Sequence, residues 1–220
     1  MFGFNRFNWD MRRDGVPGIN EVFVFGDYRG GLVVPGAYTV RLTLGEETVE
    51  TTAYIAPDPR LTAPQADYEE QAKMTMTIER TVVDIHKSVN EMRQVKAQID
   101  NALNILNLYE GHDDLKEQGE SIQEAITNWE NNLIQPNQKT FQDVINFPNQ
   151  LNTALLSLKS RVDGHEPKPT AGMETRLIDL LHEWSTYSQD IDKIINTDMK
   201  AFNAAFKKSG VDILKVPERE

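Results

Sequence analysis

Pro57-Asp58-Pro59-Arg60-Leu61-Thr62-Ala63-Pro64 is the stretch on which the reading of the fold turns. Upstream of it, apolar and polar residues alternate between glycine and proline turns, the period of half-buried strands. Downstream, apolar residues recur at spacings of three and four, the period of amphipathic helices. Prolines here end the strand pattern, and Thr62-Ala63-Pro64 opens a helix. The expected fold class is α+β: a small antiparallel β module in residues 1–60, then an antiparallel three- or four-helix bundle in residues 61–220.

Working back from the seam, Tyr38-Thr39-Val40-Arg41-Leu42-Thr43-Leu44 follows the turn signal Val34-Pro35-Gly36-Ala37. Gly45-Glu46-Glu47 closes a hairpin with Thr48 to Ile55, in which Val49, Thr51, Ala53 and Ile55 share a face. In Phe4 to Met11, the residues Phe7, Trp9 and Met11 fall on one side and Arg6, Asn8 and Asp10 on the other, which predicts a strand. Glu21 to Phe25 reads as a short edge strand or a loop. Phe7, Trp9, Tyr38, Val40 and Leu42 form the expected β core. These strands are too few for a sandwich of about seven. Their apolar face therefore needs cover, from the helices or from further strands upstream.

Working forward, Ile78, Val82, Ile85, Val89, Met92, Val95, Ile99, Leu103 and Leu106 form one sustained stripe, predicting a helix from about Gln65 to Tyr109. Gly111 and His112-Asp113-Asp114 end it and cap the next helix, which carries Leu115, Ile122, Ile126, Trp129 and Leu133. A turn of helix is expected around Phe141 to Ile145. Pro148 suits the first turn of a third helix with Leu151, Leu155, Leu158 and Val162. Thr170 can cap a fourth, with Leu177, Leu181, Trp184, Ile191, Ile195, Phe202 and Phe206, ending near Gly210.

Net charge over the 220 residues is −11, concentrated downstream of the seam. An acidic helical surface repels phosphate, which argues against nucleic acid and anionic membrane as partners. The absence of cysteine excludes disulfides and thiolate metal sites. Residues 1–6 lack the pattern of a signal peptide, and no apolar run approaches the roughly 18 residues of a membrane span.

Catalytic signatures are sparse. Asp179, His182 and Glu183 lie on one helical face, a geometry able to contact a metal. A di-iron bundle needs two acid-x-x-His motifs, and only Asp179-Leu180-Leu181-His182 is present. A solvated or salt-bridged face is the simpler reading, as capping is for His112-Asp113-Asp114. His86 and His165 have no evident partner sets. Nucleophile elbows, phosphate loops and dinucleotide fingerprints are absent, and Gly26-Asp27-Tyr28-Arg29-Gly30-Gly31 reads as a loop. Trp129 and Trp184 sit on apolar stripes and read as core. No catalytic residue, metal or cofactor is assigned.

Phe4-Asn5-Arg6-Phe7-Asn8-Trp9-Asp10-Met11-Arg12 resembles the "N-R-F-x-W-D-L-R" segment of BNR/Asp-box propeller proteins, relatives of sialidases and the sortilin propeller. Val34-Pro35-Gly36-Ala37-Tyr38-Thr39-Val40-Arg41-Leu42 resembles their "P-P-G-x-Y-x-V-R-L" hairpin. Ala53 to Arg60 resembles their "L-x-V-x-x-D-P-R" exit strand, and Asn146 to Leu151 the "Y-P-x-x-L" opening of a late helix. A more distant similarity, to the Ig-like module of flagellar hook-capping proteins, shares "W-D" and "G-x-Y" alone. The propeller resemblance implies an Ig- or fibronectin-like β module followed by a helical tail, at the carboxyl end of a large exported protein. No Asp-box and no propeller repeat occurs in this chain, so the family's glycosidase-like chemistry has no residues here to land on.

The function expected is that of a non-catalytic accessory module that contacts a preceding propeller domain or another protein. Its location would be extracytoplasmic as part of a longer chain, and cytoplasmic if Met1 is the natural start. Two alternatives are a metal-dependent hydrolase using Asp179, His182 and Glu183, and a free-standing scaffold that forms a homo-oligomer through the helix of residues 65–109.

Overall fold

The computed structural model describes residues 3–20, 22–24, 26–164 and 166–212. Its class is α+β. A two-stranded antiparallel sheet, β1 (Gly36–Leu44) and β2 (Glu47–Ile55), is followed by α1 (Gln65–Leu106), α2 (Asp113–Leu133), α3 (Leu151–Val162) and α4 (Ala171–Lys193). One π-helical turn, Ile194–Asp198, joins α4 to α5 (Met199–Lys208), so these segments form a single interrupted helix. The expected turn of helix at Phe141–Ile145 is present as a 3-10 turn.

The helix boundaries follow local chemistry. Pro64 caps α1, and its missing N–H is one that a helix start leaves unbonded anyway. Gly111 at φ +81° lets the chain reverse before α2. Thr170 accepts from the Met173 amide at the start of α4. Pro148, expected inside the first turn of α3, lies before its cap at Gln150.

Ion pairs and hydrogen bonds give the directions. Arg93 meets Glu130, Lys96 meets Thr127, and Asp100 meets Gln123, so α2 runs back along α1. The descent continues in α3, where Asn152 faces His86 and Val162 faces Gln71. Trp129 of α2 then donates to the Tyr187 carbonyl of α4. The stripe predicted on α1 is the core: Ile78, Val82, Ile85 and Val89 are fully buried, together with Ile126, Leu133, Leu155 and Leu180 from the other helices. Trp129 is buried in it and Trp184 packs at its margin.

Residues 1–60 depart from expectation. Phe4 to Met11 forms no strand. Among the described residues a single bridge, Arg12 to Leu32, is all that pairs there, and Met11 at φ 60° turns the chain out of the extended conformation. Glu21 and Phe25, the ends of the short β-rich run, lie outside the described residues, and Val22 to Val24 are not strand. The expected β core is overturned: Phe7, Trp9, Val40 and Leu42 are exposed and Tyr38 is only half-buried. The reason is geometric. The helices bury their stripes against one another, and among the described residues no helix packs on the hairpin to cover it. Instead Val16 and Ile19, which no periodicity marked, are buried in the helical core.

Candidate interaction surface

Residues 12–20 run out along α1 and residues 26–32 return along α3, the two legs of a strap. On the outward leg Arg13 meets Glu79, Pro17 meets His86, and Asn20 meets Arg93. On the return leg Gly26 lies close against Leu156, and the Arg29 carbonyl accepts from Lys159. The two legs bond to each other through Arg13 N–H to the Gly31 carbonyl, Val16 N–H to the Tyr28 carbonyl, and Val33 N–H to the Met11 carbonyl. Glycine is needed where they touch, since a Cβ on Gly30 would stand 2.2 Å from the Arg13 carbonyl oxygen.

Charges fasten the strap at its base. Arg12 pairs with Asp163, and its guanidinium also donates to the Gly30 carbonyl. Arg13 donates to Glu79 at 3.0 Å and to Thr75, and the second Glu79 oxygen accepts from the Gly31 amide at 2.6 Å. Asp163 likewise accepts from the Leu32 amide. Lys159 is nearly inaccessible. Burial pushes its ammonium below the usual lysine range, against the opposing pull of Glu79, Asp27 and Asp163. Such shielded groups are costly to separate, because a charge left behind has lost both water and partner.

The middle of the strap rests on His86. Its Nδ1 lies 2.8 Å from the Pro17 carbonyl oxygen and therefore carries the proton, while Nε2 faces the Asn152 amide at 3.5 Å. Burial lowers the imidazole pKa, and the bond to Pro17 opposes that shift. Tyr28 stands edge-on to the ring, and burial pushes its phenol up to about 12.

Beyond the strap the chain leaves the helices as β1 and β2. Cross-strand pairs Tyr38 and Ala53, Val40 and Thr51, and Leu42 and Val49 place one apolar face on the hairpin, with Glu47 opposite Leu44 at its end. That face is open: Leu42 is 69% exposed, Leu44 79% and Val49 68%. Arg41 and Glu50 pair on the opposite side. A two-stranded sheet alone is marginal in water, so an uncovered apolar face is the anomaly of this fold.

A groove of about 700 Å³ opens between α1 and the strap base. Trp9 forms one wall, and Val33, Met76 and Val83 supply apolar surface. Trp9 is held by its Nε1–H bond to the Arg12 carbonyl and by an edge contact with Tyr38 at 5.8 Å.

The metal candidates are not gathered into a site. Asp179 and His182 are exposed on α4 and Glu183 is half-buried there, and no group of three or more metal-ligating side chains comes together among the described residues. His112 precedes α2 with Asp113 and Asp114 in its first turn, and its side chain makes no capping bond. His165 lies outside the described residues. Two features of the strap escaped sequence reasoning, the partners of His86 and the buried Lys159. Their one visible signal was a histidine and a lysine on apolar stripes. No protein-family model, curated protein or solved structure matches the chain.

Proposed function

We propose that the chain is a non-catalytic interaction module, the β-plus-helical carboxyl-terminal region of an exported propeller-type protein related to the BNR/Asp-box family. In this reading the helices form a bundle, and β1 and β2 belong to an Ig-like module completed by the preceding domain. The observation that carries it is the open apolar face of Val40, Leu42, Leu44 and Val49 on a sheet too small to stand alone. Burying that face against another β surface would contribute about 25 cal/mol for each Å² of apolar area removed from water. The resemblance of residues 4–60 supports a propeller domain as the occupant. The acidic balance supports a partner other than nucleic acid or anionic membrane.

Two measurements test this. An immunoblot of cell fractions should show a band well above 25.0 kDa outside the cytoplasm. Hydrogen exchange on that longer protein should show residues 38–51 protected relative to the 220-residue chain alone. A band of 25.0 kDa, or a hairpin that exchanges equally fast in both, overturns the proposal.

A further inference from the structure

Trp9 belongs to two surfaces at once. It lines the groove beside the strap, and its ring contacts Tyr38, which stands on the apolar face of the hairpin. Groove and face are thereby continuous: Leu44, Leu42, Val40, Tyr38, Trp9, then the apolar groove wall.

The charges along this path divide into two sets. Arg12, Arg13 and Glu79 are consumed in fastening the strap. Asp14, Arg80 and Asp84 line the same groove and are exposed, and their side chains make no hydrogen bond or ion pair with any described residue. At the far end of the hairpin, Glu46 and Glu47 are also exposed and unpaired among the described residues. Four free carboxylates thus face one free guanidinium along an apolar track.

We propose that this track binds an extended, basic polypeptide segment of the partner, with apolar residues alternating with lysine or arginine. The inference rests on the interaction-module reading and names the partner's chemistry. An extended chain presents alternate side chains to opposite sides, so one set can follow the apolar track while the other meets the carboxylates at its rim. A second copy of this chain fits poorly, since it carries the same acidic rim and a net charge of −11.

The probe is a fluorescein-labelled peptide of about 12 residues alternating valine or threonine with lysine, long enough at roughly 3.3 Å per residue to span the track. Its counterpart carries glutamate in place of lysine. Anisotropy should show the lysine peptide binding at least about tenfold more tightly, with the preference shrinking as salt is raised. Asp84→Lys, on the solvent side of α1, should weaken the lysine peptide by about threefold or more while circular dichroism stays unchanged. Equal binding of the two peptides, no binding of either, or unchanged affinity in Asp84→Lys overturns the proposal. Hydrogen exchange separates this from the reading beneath it. A hairpin protected in the longer protein, with no lysine preference here, removes the basic segment and leaves the docking module standing.

Discussion

The imidazole of His86 on α1 donates from Nδ1 to the carbonyl oxygen of Pro17, 2.8 Å away in the strap, and so ties an irregular segment to the centre of the helical core. Burial holds its pKa below the ordinary histidine value, so the folded ring stays neutral where the unfolded chain already takes up a proton. The unfolded state then binds more protons, and stability falls as pH drops through about 6.5 toward the lower folded value. Urea titrations should give a lower midpoint at about pH 5 than at pH 7.5. His86→Gln should flatten the part of that slope near pH 6. An identical slope in the variant would assign the pH dependence to other groups.

Glu79 holds two strap groups, the Arg13 guanidinium and the Gly31 amide. Glu79→Ala removes both acceptors and leaves a shielded arginine without its carboxylate partner. The expected loss is about 1.5–3 kcal/mol from a charged hydrogen bond alone. Glu79→Gln should recover part of it by keeping an acceptor for one donor. Chemical denaturation of the two variants decides this, and equal stability of both with the parent chain would remove Glu79 as the fastening group.

Gly30 lets the two strap legs touch. A methyl group there meets the Arg13 and Asp14 carbonyl oxygens at 2.2 and 2.5 Å, and backbone cannot rotate aside as a side chain can. Gly30→Ala should cost about 1–3 kcal/mol, as overpacking commonly does. It should also raise hydrogen exchange at the Val16 amide, which bonds to Tyr28 across the legs. Unchanged exchange there would mean the strap relaxes without opening.

Side chains in the helices and in the hairpin should respond oppositely to truncation. Ile126 is fully buried, and Ile126→Ala should cost about 2–5 kcal/mol. Leu42→Ser, on the open hairpin face, should change the stability of the chain by less than about 0.5 kcal/mol. Thermal melts of the two variants measure the contrast. A large loss from Leu42→Ser would show that the hairpin face is already covered within this chain.

The stripes from Ile78 to Leu106 and from Leu115 to Leu133 were legible because a helix buries residues by period alone. The hairpin was legible too, from a glycine turn between alternating flanks, although the turn is shorter than expected and Glu47 belongs to β2, paired with Leu44. The strap was not. Val16 and Ile19 sit among glycine and proline with no repeat, and their burial depends on α1 and α3, which begin 46 or more residues after Ile19. The strand read into Phe4 to Met11 failed for a related reason. Alternation states which residues could share a face, and Met11 at φ 60° then turned the chain away before a partner strand could use it.

Local chemistry by itself determined the class, the positions of the helices, the Thr170 cap and the hairpin, because each depends on neighbours within a few residues. The tertiary structure alone decided that the apolar face of the hairpin stays open. It also decided that Trp9 joins that face to the groove, and that Arg12, Arg13, Lys159 and His86 fasten the strap. Each of these brings together groups far apart in the chain. Which charges are consumed and which remain free depends on distances that no sequence spacing specifies.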